Sequence, residues 1–284
     1  MRFLSSADPE SAGRLVLETV GRTFDWTKHL ATLGFEGDLV DQAREGLFRR
    51  EALERVLADG RLEEVEPPRA LDVPVPRERV GKVACLGKNF ALHAEEFGES
   101  VPVEPLVFHK LPECLVASGT PIGPPRNYTR RFDFEGELAV WITGEGRDVP
   151  ADRALELVGG YTIANDLTLR SLQGADRKLG RPWFFAKNFD RALPLGPALA
   201  PEAFFDPRDV RLETRVNDEA RQDARTSAMV VGIADAIAHV SRQLTWRPGD
   251  LLLMGTPAGV GPLESGDEVA VSIEGLGRLV NVVD

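Results

Sequence analysis

Along residues 132–142 apolar and polar positions alternate. Phe132, Phe134, Leu138, Val140 and Ile142 fall on one side of an extended chain, and Asp133, Glu135 and Glu137 on the other. The pattern predicts a strand carrying three acids in a row. Side chains on one strand face stand about 7 Å apart, where two unit charges repel by about 2 to 3 kcal/mol at an effective dielectric near 20. Either the acids lie on a wet, half-exposed face, or their oxygens hold a hard divalent cation.

Elsewhere the period lengthens. Leu39, Ala43, Leu47, Leu53, Val56 and Leu57 recur at helical spacing up to a stop at Gly60, which predicts an amphipathic helix over 39–59. Pro67, Pro68, Pro74 and Pro76 stiffen the segment 66–80, so a boundary is expected between a small N-terminal domain with its linker, 1–75, and a larger domain, 76–284. Short apolar runs dominate beyond it. They predict strands at 83–86, 106–110, 161–165, 251–254, 268–273 and 278–283, and a hairpin of 211–216 with 220–222 about Asn217 and Asp218. A helical turn or two is expected over 91–97, and longer helices over 148–158, with Leu155 and Val158 inward, around Arg170, and over 233–244, with Ile233, Ile237, Val240 and Leu244 inward. The fold class expected is α+β, mostly β.

With 284 residues, 43% apolar and 28% charged, the chain can bury a sizeable core. A net charge of -11 argues against nucleic acid, which needs clustered Lys and Arg. No apolar run reaches the length of a membrane span, and the first ten residues lack a hydrophobic signal region, so a cytoplasmic protein is expected. Cys85 and Cys114 sit in apolar surroundings without metal-ligand spacing.

Several residues could carry chemistry. His93 and Glu96, three apart, share a helix face, as a carboxylate orienting a general base or as an exposed pair of no consequence. Asp166 closes a predicted strand, as the cap of the next helix or as a further oxygen ligand beside Glu135 and Glu137. Arg170 and Gln173 again share a face and suit a carboxylate or carbonyl oxygen, although a surface ion pair is the commoner fate of an Arg. Lys187 lies within the apolar run 182–189, where it must snorkel, pair or lose its proton. His239 is expected on a helix surface. The loop 255–261 lacks the Gly-Lys-Ser/Thr ending of a phosphate loop and leads into strand-like sequence, which excludes that reading. It can still bring backbone amides and the Thr256 hydroxyl close to a ligand.

Segments 87–93, 132–139, 160–173, 186–197, 211–227 and 248–261, in that order, resemble the fumarylacetoacetate hydrolase family from about residue 80 to the end. The resemblance implies a catalytic domain of layered or rolled sheets, a Mg²⁺ or Mn²⁺ site that could also take Ca²⁺, a homodimer, and 2-oxo acids or their enols as substrates in aromatic or amino acid catabolism. It assigns Glu135, Glu137 and Asp166 to the metal, His93 with Glu96 and Lys187 to catalysis, and Arg170, Gln173 and Thr256 to substrate. Three positions depart from the family pattern: Ser171 for Asp, Leu92 for a polar residue, and Asn188 for Ser.

The reaction implied is hydrolysis of a C–C bond in acylpyruvate-type acids. The carboxylate and 2-oxo oxygens sit beside the metal, His93 oriented by Glu96 deprotonates a water for attack on the distal carbonyl, and Lys187, Arg170 and Gln173 support the enolate charge. Decarboxylation, isomerisation or dehydration through the same enolate is the alternative. A binding protein that kept the fold would have no need of three oxygen ligands, a His and a Lys together.

Overall fold

The computed structural model describes every residue except Phe97, Glu99 and Val101. The chain opens with β1 (Arg2–Ser5), β2 (Leu15–Thr19) and β3 (Arg22–Asp25), then α1 (Trp26–Thr32), α2 (Leu39–Arg44) and α3 (Arg50–Ala58). Next come β4 (Val83–Gly87), α4 (Ala91–Glu96), β5 (Leu106–Lys110), β6 (Leu115–Val116), β7 (Gly136–Ile142), α5 (Ala151–Ala154) and β8 (Val158–Asn165). Then follow α6 (Arg170–Lys178), α7 (Phe184–Lys187), β9 (Leu193–Pro201), β10 (Arg211–Val216), β11 (Glu219–Arg225), α8 (Ile233–Ser241), β12 (Leu251–Leu253), β13 (Glu268–Ile273) and β14 (Gly277–Val282). This is the α+β class expected.

Among the described residues ten strands form one mixed sheet, ordered β3-β2-β1-β9-β8-β7-β12-β4-β5, with β6 alongside β9. A four-stranded sheet, β11-β10-β13-β14, packs across β7, β8 and β9. The alternation along β7 serves both layers. Ala139 and Trp141 enter a core with Trp26, Phe48, Leu193 and Leu251, while Leu138, Val140 and Ile142 pack with Ile163, Leu212, Val271 and Leu279 between the sheets. Each Leu or Val so buried contributes roughly 1.5 to 3 kcal/mol. With both faces covered, the wet acidic face does not exist: Glu135 and Glu137 are 5% and 1% exposed. The strand is also shorter than its pattern, because Phe132 to Glu135 precede the ladder and Asp133 pairs instead with Thr168.

Residues 1–75, expected as a small domain, add β1 to β3 to the large sheet through the pairing of Phe3 with Leu199 and Leu4 with Ala198. Phe3, Leu17 and Trp26 share one core with Trp141 and Leu195.

Helix lengths depart from the periodicity. The helix expected over 39–59 breaks into α2 and α3, because the chain turns at Gly46 (φ 77°) and drops Phe48 into the core, stacked on Phe3 at 4.8 Å. An Asp38 capping box starts α2. Only α5 and a 3₁₀ turn form over 148–158, where Leu155 faces outward while Ala154, Leu157 and Val158 are buried. Helix α8 stops at Ser241, whose hydroxyl donates to the Ala238 carbonyl (2.8 Å) and accepts from the Val149 amide (2.9 Å), and Leu244 beyond it is exposed. His239 lies at the surface of α8, as expected. The hairpin of β10 and β11 turns on Asn217 and Asp218, both at positive φ, as a two-residue loop demands. The helical turn expected over 91–97 is α4 as far as Glu96; Phe97 lies outside the described residues.

Candidate active site

Strands β7 and β8 run antiparallel with Gly136 opposite Asn165 and Glu137 opposite Ala164, so the start of one meets the end of the other. That register brings Glu135 and Glu137 beside Asp166. The Asp166 amide donates to the Glu135 carbonyl (2.8 Å), and the Glu135 amide donates to Asn165 Oδ1 (2.9 Å). One carboxylate oxygen from each of Glu135, Glu137 and Asp166 lies within 4.8 Å of the others, and all three residues are buried.

Cations meet this cluster from two sides. Lys187, at the end of α7, places Nζ 2.7 Å from Glu135 Oε2 and 2.6 Å from Asp166 Oδ2. Of the three fates open to a lysine in an apolar run, it pairs: burial opposes its charge, but Asp166 and Glu135 outweigh burial and raise its pKa. Lys110 approaches the other Asp166 oxygen, Oδ1, at 2.8 Å. From α6, Arg170 donates to Glu135 Oε1, to Asp133 Oδ2 (2.9 Å) and to Gln173 Oε1 (2.7 Å). Asp133, which is also gripped by Arg131 at 2.8 Å, stands apart from the triad.

The two glutamates are held differently. Burial would raise the Glu135 carboxyl, yet Lys187 and Arg170 overcome it and hold that group well below the usual carboxylate range. Glu137 accepts the Gly255 amide (2.7 Å), and burial, together with the charges of Asp166 and Glu135, pushes its carboxyl well above that range. A carboxyl so placed binds a proton or a metal cation. Three buried carboxylate oxygens within one ion's reach make a hard-oxygen donor set that fits a divalent metal.

His93 is buried, with Nδ1 3.3 Å from Glu96 Oε2. Burial lowers its pKa below 6.5, Arg170 acts in the same direction, and Glu135 and Glu96 oppose them in part. The imidazole is therefore uncharged at neutral pH. The Gly259 amide donates to both Glu96 oxygens at 3.3 Å, which ties the dyad to the loop 255–261. Gly259 sits at φ 100°, and a Cβ there would run into the Arg221 carbonyl oxygen, so only glycine closes this contact. The Thr256 hydroxyl accepts from Gln222 Nε2 (2.7 Å), and Gln222 Oε1 in turn accepts the Gly136 amide (3.1 Å).

These groups converge on a cavity of about 510 Å³ lined by His93, Glu135, Glu137, Arg170, Gln173, Lys187 and Thr256. Asp166 and Glu96 stand behind the wall, against Lys187 and His93. The sequence reading missed Phe108 and Trp183, whose rings meet edge-on at 5.8 Å and line the cavity, and the basic Lys88 and Arg177. It also missed Gln222 and Lys110. Lys110 ends a short apolar strand, the same signal that singled out Lys187. Of the three departures, Ser171 lines the cavity and Leu92 is 69% exposed, away from the hold on His93. Asn188 staples α7 to the end of β5, accepting from the Leu111 amide (2.6 Å) and donating to the carbonyls of Phe184 (2.9 Å) and His109 (3.3 Å).

The family model described as fumarylacetoacetate (FAA) hydrolase C-terminal matches residues 82–284. The chain belongs to the fumarylacetoacetate hydrolase family. Within that family it is 41% identical over 207 residues to oxaloacetate tautomerase YcgM of Escherichia coli, covering 72% of this chain and 91% of that protein. The solved structure of fumarylacetoacetate hydrolase from Exiguobacterium antarcticum superposes with a TM-score of 0.79 at 33% identity, covering 100% of this chain and 99% of that one. Fumarylpyruvate hydrolase from Pseudomonas aeruginosa, solved with Mn²⁺ and pyruvate, gives 0.70 at 34% identity over 77% of this chain and 93% of that one. Proteins of the fumarylacetoacetate hydrolase family depend on a divalent metal, in keeping with the buried acidic triad. No helix among the described residues is long and apolar enough to cross a membrane.

Proposed function

We propose that the chain is a divalent-metal-dependent hydrolase that cleaves a C–C bond of acylpyruvate-type 1,3-diketo acids, giving a 2-oxo acid and a carboxylic acid, with Mg²⁺ or Mn²⁺ as the metal. The observation that carries this reading is a triad of buried carboxylates beside a cavity whose wall holds an uncharged histidine oriented by a glutamate. Glu135, Glu137 and Asp166 would hold the metal, whose charge favours negative charge developing on the oxygens of a 2-oxo acid.

The protein's own groups act around it. Lys187 and Arg170 face the cavity and place fixed positive charge where an enolate would form. Gln173 and the Thr256 hydroxyl line the same wall and orient substrate oxygens, Thr256 being held in turn by Gln222. With Nδ1 turned to Glu96, His93 takes a proton from water at Nε2, and that water attacks the carbonyl distal to the 2-oxo acid. Phe108 and Trp183 supply an apolar wall that limits competing water.

Likeness to a protein named oxaloacetate tautomerase favours a second reading, in which the same donors stabilise an enolate and a proton moves between carbon and oxygen without an attacking water. Incubating the protein and Mg²⁺ with acetylpyruvate, fumarylpyruvate and oxaloacetate, with products followed by mass and oxaloacetate enol by absorbance, separates the two. Hydrolytic product pairs that vanish with chelator support the first. Enol–keto exchange of oxaloacetate with intact acylpyruvates would replace it with the second.

A further inference from the structure

Lys110 is the last residue of β5 at the edge of the large sheet, and its side chain is fully buried. It is not among the residues that line the cavity. Its ammonium nevertheless reaches the centre of the site. Nζ lies 2.8 Å from Asp166 Oδ1 and donates to the carbonyls of Lys187 (2.5 Å) and Leu167 (3.2 Å), with the Phe189 ring 5.9 Å away. One ammonium thus donates to two carbonyls and forms an ion pair with a carboxylate, and it adds a further link between the segments 166–169 and 186–192, which the Leu169 amide already joins to the Ala186 carbonyl. One acceptor is the carboxylate of Asp166. Another is the final carbonyl of α7, the short helix that carries Lys187, a position where a cation suits the exposed end of a helix.

Two lysines therefore divide one carboxylate. Lys110 takes Oδ1 from behind and Lys187 takes Oδ2 from the cavity side, so the Asp166 side chain cannot rotate without breaking an ion pair. We infer that Lys110 is a positioning residue: it sets the Asp166 carboxylate against Glu135 and Glu137 and fixes the main chain from which Lys187 projects. This rests on the reading that the three carboxylates hold a divalent ion.

The charge and the placement of Lys110 have opposite consequences, which makes the inference testable. As a mere neighbouring positive charge, Lys110 would repel a metal ion, and its removal would tighten binding. As the group that places Asp166, its removal weakens binding, by about 10- to 100-fold as for other partners that orient a ligand. The experiment titrates wild type and Lys110→Met with Mn²⁺ and counts free ion by electron paramagnetic resonance. Lys110→Gln, which keeps two N–H donors for the carbonyls, replaces the methionine variant where that one does not fold.

The expected result is a rise of about 10-fold or more in the Mn²⁺ dissociation constant, absent when the same change is made on Asp166→Asn. An unchanged or smaller constant, or an equal rise in both backgrounds, overturns the positioning role while the metal reading stands. Wild type that binds no Mn²⁺, with Glu137→Gln indistinguishable from it, overturns both.

Discussion

Replacing Lys187 with methionine keeps an unbranched apolar stem one atom shorter and removes the charge. In the intact protein this ammonium bridges Glu135 Oε2 at 2.7 Å and Asp166 Oδ2 at 2.6 Å and is 2% exposed. Removing one member of a buried ion pair costs about 3 to 5 kcal/mol, because the remaining charge is left uncompensated. Here Arg170 stays on Glu135 and Lys110 on Asp166, so the lower end, about 3 kcal/mol, is expected. A stability of about 5 to 15 kcal/mol absorbs that loss and leaves the variant folded. With a urea dependence of about 1 to 3 kcal/mol per molar, the unfolding midpoint in chelator falls by about 1 to 3 M. Saturating Mg²⁺ should then restore more stability to Lys187→Met than it adds to wild type, since the dication supplies positive charge that wild type already has; a ligand at 100 times its dissociation constant contributes about 2.7 kcal/mol. A loss below about 1 kcal/mol in chelator, or equal gains with Mg²⁺, would show that the ammonium does not carry the charge of this cluster.

His93→Ala should lower acylpyruvate hydrolysis by about 10² to 10⁴, and full activity in the variant would remove His93 from the role of base. Because burial holds the His93 pKa below 6.5 and a base acts only when deprotonated, kcat/KM should be level above that pH and fall as acid is added through the lowered value; an acidic limb centred above 7 contradicts the assignment. Glu137→Gln should weaken Mn²⁺ binding by more than about 100-fold, beyond the usual loss from an outer partner, without lowering stability in chelator, since it relieves a carboxyl that burial disfavours. Asn188→Ala leaves the Leu111 amide and the Phe184 and His109 carbonyls without their partner and should cost about 1 to 3 kcal/mol in urea unfolding. No change there would mean that α7 is held without its staple.

Alternation of apolar and acidic residues at 132–142 identified the strand and two of the three carboxylates, Glu135 and Glu137, since period two survives whatever covers the faces, while Asp133 on the same face pairs with Arg131 and Arg170. What that pattern could not say is that both faces are covered: Ala139 and Trp141 read as ordinary strand residues until Trp26 and Phe48 are brought to them from the first 75 positions. Helix lengths failed for a related reason. Leu47 keeps the helical spacing of 39–59, but the chain turns at Gly46 and Phe48 stacks on Phe3, a contact with a residue that spacing cannot reveal. Lys187 stood out within the apolar run 182–189, and the same signal at Lys110, at the end of the short run 106–110, was passed over although both ammonium groups end on Asp166. Spacing alone left His93 and Glu96 open to an exposed fate, and it was the loop at Gly259, more than 160 positions away, that closed the pair in.

The three carboxylates stand at the facing ends of two paired strands, Glu137 within β7 and Glu135 and Asp166 one residue beyond the ends of β7 and β8. A slip of one residue between β7 and β8 would turn Glu135 and Glu137 away from Asp166, so the floor needs the ladder in step. The rim is built otherwise. Short helices outside the ladder carry His93, Arg170 and Gln173. One rigid base under an edge of short helices is an economical way for relatives bearing such different names as tautomerase and hydrolase to share a single scaffold.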